Sequence, residues 1–119
     1  MTIESVWGVY HADGGIVGEL RYVAGVLFRG NHCSLCDITH SLAWEKKEMK
    51  SKRESFSIPF NLVHLNEQPS ELRDYTKGIT PIVVGKTEAG FITLATDKEL
   101  QKCQGSVDGL FSLISSRLE

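Results

Sequence analysis

The chain has 119 residues, which is the length of one ordinary domain and enough to bury a core without disulfide bonds. Its 13 basic and 15 acidic side chains give a net charge of −2, so no global attraction favours nucleic acid or an acidic membrane surface as partner. No basic segment followed by an apolar one opens the sequence, which predicts a cytosolic protein without a secretory signal. We therefore expect a single domain over residues 1–119, with neither nucleic acid nor membrane as partner.

The first half of the chain passes from a strand-forming segment to helix-forming ones. Residues 5–12 are rich in aromatic and β-branched side chains and end at a glycine turn, which predicts the first strand. Apolar residues recur at helical spacing over 16–28, and Gly30 ends the helix that this spacing predicts. A second helix is predicted to begin near Asn31 and to continue through the charged segment 45–54.

The second half predicts three strands and three helices. The strands are expected at 60–65, 82–84 and 91–95, and the helices at 70–77, 97–103 and from Ser106 to the end. The order of the main elements is β-α-α-β-α-β-β-α. Both βα crossovers favour parallel neighbours, and the last two strands should pair antiparallel with the apolar strand 82–84 in the centre. The predicted fold class is α/β, with a four-stranded mixed sheet flanked by helices.

Most of the reactive side chains lie between residues 30 and 44. Cys33 and Cys36 are spaced C-x-x-C, so a helix beginning near Asn31 puts them one turn apart, with the first thiol at the helix N-terminus. Unpaired N–H groups and the helix dipole stabilise a thiolate there, which is both a nucleophile and a metal ligand. Cys103 lies far along the chain in a predicted helix and is expected to be a small buried hydrophobe.

Redox and metal chemistry both fit this segment. In a redox protein without cofactor, Cys33 is the attacking thiolate, activated by the helix N-terminus and by His32, and Cys36 resolves the mixed disulfide. In a zinc protein, Cys33, Cys36 and His40 bind the metal from one helix in the spacing C-x-x-C-x-x-x-H, and His32, Asp37 or a distant residue completes the site. A third interpretation is that these side chains are structural.

Two further histidines, His11 and His64, lie in predicted strands. A lone histidine in a strand is more often hydrogen-bonded or half-exposed than a ligand. A Cys-His hydrolase would need one of them beside Cys33, and no feature of the sequence brings them together.

Three features in register resemble the thioredoxin-like fold superfamily. The C-x-x-C of Cys33 and Cys36 opens a helix, Thr80-Pro81 stands at the start of a β-β-α unit, and that unit covers residues 82–118. The resemblance implies a thioredoxin-like domain in which Pro81 is a cis-proline facing the thiols and the peptide of Thr80 lies against the substrate. It also implies thiol-disulfide exchange on a protein or a small thiol or disulfide.

The chain departs from that family in two places. The helix predicted over 16–28 is interposed between the first strand and the thiol motif, and Ser34-Leu35 replaces the familiar Gly-Pro or Pro-Tyr pairs. Since fold alone does not establish function, a scaffold that only binds another protein is an alternative to an oxidoreductase.

Overall fold

The computed structural model describes residues 2–11, 35, 40–41 and 44–118, and of residues 40, 41, 44 and 45 it describes the backbone. The helix predicted over 16–28 and the predicted start of the second helix lie outside these ranges. The described strands are β1 Ile3–Val9, β2 His40–Ser41, β3 Trp44–Glu45, β4 Phe60–Val63, β5 Ile82–Thr87 and β6 Gly90–Ala95. The described α-helices are α1 Lys47–Glu54, α2 Ser70–Thr76, α3 Asp97–Lys102 and α4 Val107–Leu118, and Leu65–Glu67 form a 3₁₀ helix.

Four of these strands form one mixed sheet in the order β4-β1-β5-β6. β1 pairs parallel with β4 and antiparallel with β5, and β5 and β6 form an antiparallel hairpin. β5 lies between two strands, and its residues Ile82, Val83 and Val84 are buried. The α/β class, the four-stranded mixed sheet and the central position of the third predicted strand are thus confirmed.

The prediction that the second βα crossover leads to a parallel neighbour is wrong. Val63 at the end of β4 and Ile82 at the start of β5 both pair with Val9, so the chain leaves one strand and enters the next at the same end of the sheet. The direction of β5 is set by its antiparallel pairing with β1 and with β6. The contacts with β1 join residues far apart in the chain, so the local pattern of the connection between β4 and β5 does not reveal them.

The two faces of the sheet are buried by different helices. Val83 faces a cluster that includes Met49 of α1, Leu110 of α4 and Leu35. The neighbouring residue Ile82 points to the other face, where it packs in a cluster with Leu72 of α2. Helices therefore cover both faces, and among the described helices none is long and apolar enough to cross a membrane.

The prediction of one helix from Asn31 through the charged segment 45–54 is also wrong. β2 and β3 pair antiparallel, with His40 opposite Glu45, and α1 begins only at Lys47. Backbone pairing across these short strands replaces the intrahelical hydrogen bonds, since His, Ser and Trp favour a helix only weakly. The first strand is displaced as well. It ends at Val9, where its pairing partners end, so His11 lies beyond the strand.

A polar cluster ties the last helix to the sheet. The N-cap of α3 is Thr96, because the Thr96 hydroxyl accepts from the Glu99 N–H while the Glu99 carboxylate accepts from the Thr96 N–H. Arg117 of α4 donates to Glu99 and to the carbonyl of Leu94, each at 2.9 Å. The pKa of Glu99 lies below its ordinary value. The hydrogen bond from Arg117 is the larger cause, and the hydrogen bond from the Thr96 backbone is the next.

We expect Glu99→Gln to weaken the dependence of stability on pH in the acid range. A carboxylate whose pKa is lowered by folding stabilises the protein above its ordinary pKa of 4.5, and that contribution is lost as the pH falls through the lowered folded-state value. The variant should be less stable than the parent at pH 7, by about 1 kcal/mol for a partly exposed pair, and closer to it in acid. Urea unfolding at neutral pH and near pH 3 measures both.

The matched control is Glu88→Gln, which changes an exposed residue in the β5–β6 turn. It should leave the slope of stability against pH as in the parent. An equal slope in Glu99→Gln and the parent would contradict the role of the Arg117 pair.

Candidate functional site

The segments that follow β1 and β4 and precede β5 meet at one end of the sheet. Their meeting point is set by Val9, which has Val63 on one side and Ile82 on the other. The backbone pairing with β4 continues one residue beyond Val9, since the Tyr10 N–H donates to the Val63 carbonyl at 2.9 Å. Polar side chains from distant parts of the sequence are therefore brought together at the end of β1.

A hydrogen bond joins two of these segments. The Nδ1 atom of His11 and the Oγ1 atom of Thr80 are 2.9 Å apart, although the residues are 69 positions apart in the sequence. His11 is exposed, Thr80 is half-buried and Pro81 is buried. The Thr80–Pro81 peptide bond is cis, as the resemblance to thioredoxin-like proteins implies for this position.

A second polar pair lies beyond β4. Glu67 Oε1 accepts from the backbone N–H of His64 at 2.8 Å and lies 2.6 Å from Nδ1 of the same residue. These contacts, the backbone hydrogen bond first, hold the pKa of Glu67 below its ordinary value. The His64 ring lies against Tyr10, with 5.0 Å between the ring centroids. The pair starts the 3₁₀ helix as a capping box and also packs against the residue that follows β1.

Leu35 lies against the same part of β1. It is fully buried, and a Cβ built on Gly8 would stand 3.3 Å from its Cδ2 atom and 2.8 Å from Cδ2 of Leu62. A glycine is therefore needed at position 8 for the close approach of these two leucines. Leu35 is the residue before Cys36 in the sequence, so the described residue of the thiol motif packs on the sheet beside Gly8, one position before Val9.

The predicted site residues are only partly described. Pro81 is in place at the start of β5, whereas Cys33, Cys36 and His32 lie outside the described residues. The backbone of His40 belongs to β2 and pairs with Glu45 of β3, so the prediction that it shares a helix with both cysteines is wrong. Zinc binding by this set stays a prediction. Within the described part of the chain, no group of three His, Cys, Asp or Glu side chains is arranged to hold a metal ion.

Cys103 is a free cysteine at the end of α3, and it is half-buried where full burial was expected. Its thiol donates to the Glu99 carbonyl with a separation of 3.6 Å. The pKa of the Cys103 thiol is raised, mainly by burial and to a smaller extent by the charge of Glu99. A raised pKa disfavours the thiolate, so this cysteine is a poor nucleophile.

Sequence reasoning missed the two polar pairs as parts of one site. Glu67 stands three positions after His64, as in a capping box, but His is not among the usual N-cap residues, so the sequence does not mark this helix start. No local pattern predicts the contact between His11 and Thr80, because this contact depends on the register of β5 against β1.

Comparison with known proteins supplies no family. The chain has no significant match to a protein-family model, to a curated protein or to a solved structure.

We expect Gly8→Val to reduce the free energy of unfolding by about 2 kcal/mol, because the added carbons overlap Leu62 and Leu35. In a Leu35→Ala background part of this loss should disappear, since the shortened side chain leaves room for the valine. Urea unfolding of the four proteins in this cycle measures the coupling.

A glycine with room for a methyl group at ordinary contact distance is the control. At Gly109 in α4 a Cβ would stand 3.4 Å from Ser106, an ordinary contact, so Gly109→Ala should stabilise the helix by about 0.5–1 kcal/mol. Additive effects of Gly8→Val and Leu35→Ala would mean that Leu35 does not pack on Gly8.

Proposed function

We propose that the protein is a thioredoxin-like thiol-disulfide oxidoreductase whose reactive pair is Cys33 and Cys36. The observation that carries this proposal is the convergence at the end of β1. Leu35 packs against Gly8, and Pro81 directly precedes the residue that pairs with Val9.

The chain connectivity around Leu35 supports a dithiol at this end of the sheet. Leu35 lies between the two cysteines in the sequence, and successive Cα atoms are only about 3.8 Å apart. Leu35 contacts Gly8, and Pro81 precedes Ile82, the pairing partner of Val9. Because Gly8 and Val9 are neighbours, Leu35 and Pro81 approach the same end of β1. A thiol motif beside a strand-initial proline is the arrangement that the resemblance to thioredoxin-like proteins implies.

The C-terminal unit gives further support. Pro81 leads into the β5–β6 hairpin, and α4 follows and packs through Leu110 and Ile114 in the same cluster as Leu35. α4 therefore lies on the same face of the sheet as Leu35.

The reaction is a two-electron exchange between the cysteine pair and a disulfide. The Cys33 thiolate attacks one sulfur of the substrate, the substrate S–S bond breaks, and the second substrate sulfur leaves as a thiolate that takes up a proton. Cys36, after losing its proton to solvent, attacks the Cys33 sulfur of the mixed disulfide. A Cys33–Cys36 disulfide forms, the other substrate thiol is released, and a dithiol reductant restores the pair.

The substrate class is a protein disulfide or a small disulfide. The compartment we propose is the cytosol, where a reducing poise keeps such a pair in the dithiol form. Neither a metal nor an organic cofactor takes part in the exchange.

The test uses three cysteine variants of the full chain with dithiothreitol as reductant. Cys33→Ser should abolish disulfide reduction, and Cys36→Ser should accumulate a mixed disulfide with the substrate, because no resolving thiol is left. Cys103→Ser is the matched control and should keep full activity. Intact-mass analysis after alkylation detects the trapped species.

Full activity in Cys33→Ser would contradict the proposal. Alkylation across a series of glutathione poises gives a second reading, in which Cys33 and Cys36 should be oxidised together in one reversible transition. Thiols protected until a chelator is added would instead indicate the zinc site of Cys33, Cys36 and His40.

A further inference from the structure

We propose that His11 is a positioning residue that holds Thr80 ready for a peptide disulfide. The inference rests on the proposed function and names a residue that the thiol motif does not include. Its basis is the 2.9 Å hydrogen bond between His11 Nδ1 and Thr80 Oγ1.

The backbone that carries His11 is anchored immediately before it. Tyr10 is buried, its N–H donates to the Val63 carbonyl, and its ring lies against that of His64. His11 is itself exposed, so its ring extends from a fixed backbone to the surface. A side chain held in this way can fix the position of a neighbouring segment by a hydrogen bond.

Thr80 is the residue whose position this hydrogen bond fixes. Pro81, directly after it, is buried, whereas Ile79, directly before it, is exposed to 47% and lies in the segment that follows α2. Thr80 thus stands between a buried residue and an exposed one. The hydrogen bond to His11 ties the threonine to the segment that leaves β1, across the entrance to β5.

Fixing Thr80 before the substrate arrives should improve binding. A peptide that docks along this residue would otherwise have to order it on binding, and the ordering cost would be subtracted from the affinity. The exposed Ile79 adds apolar surface beside the docking position, which favours a polypeptide over a small disulfide. The hydrogen bond between His11 and Thr80 should therefore lower KM for a peptide disulfide and leave the exchange between sulfur atoms unchanged.

The experiment compares variants that remove the hydrogen bond with variants that can keep it. His11→Leu and Thr80→Val remove it, whereas His11→Asn keeps a polar atom near the position of Nδ1 and Thr80→Ser keeps the hydroxyl. The substrate is a synthetic peptide with one internal disulfide, reduced in the presence of dithiothreitol. A small aromatic disulfide serves as a second substrate without a peptide backbone.

In the removing variants KM for the peptide should rise about fivefold at unchanged kcat, the factor expected for one net hydrogen bond. The conservative variants should recover most of the loss, and the double variant His11→Leu/Thr80→Val should be no worse than either single one. Kinetics of His11→Leu with the small disulfide should not change. Circular dichroism and thermal unfolding check that each variant is folded.

Unchanged KM in both removing variants, with wild-type turnover that still depends on Cys33, would overturn the role of His11 alone. Equal KM increases in His11→Leu and His11→Asn would also overturn it, because the hydrogen bond would then be irrelevant. Wild-type protein without Cys33-dependent turnover would overturn the proposed function and with it this inference.

Discussion

The pairing of β1 on both sides is the constraint on which the rest of the structure depends. β1 has a parallel neighbour and an antiparallel neighbour, and their registers meet at Val9. Because Val63 and Ile82 oppose the same residue, the connection between β4 and β5 stays at one end of the sheet. Every candidate functional group that the structure describes belongs to a segment leaving or entering the sheet at that end.

Burial on both faces holds this arrangement in place. Val83 and Val84 are fully buried on opposite faces, one against α4 and the other against α2, so β5 cannot shift by one residue without exposing both sets of contacts. Gly8 adds a steric condition, since it admits Leu35 and Leu62 close to β1. The approach of Leu35 to the sheet is therefore a packing effect, whereas the side chains of His11, Thr80, His64 and Glu67 are polar and none of them is fully buried.

The polar contacts at this end differ in what they connect. The pair of His64 and Glu67 is local in sequence and begins a helix, and its additional contact is with the ring of Tyr10. The bond between His11 and Thr80 is long-range and links two loops. A local pair stabilises its own segment, whereas a long-range pair fixes the distance between segments, which is what a binding site for an extended substrate needs.

The sequence by itself determined the α/β class, the four strands of the sheet, the terminal hairpin and the last helix, because periodicity and turn residues act over a few neighbouring positions. It also singled out the C-x-x-C motif and Pro81. It did not determine that α1 begins at Lys47, that β5 runs antiparallel to β1, or that His11 reaches Thr80. Those features were decided by tertiary structure, since strand register and face burial depend on contacts between residues far apart in the chain, which no local pattern contains.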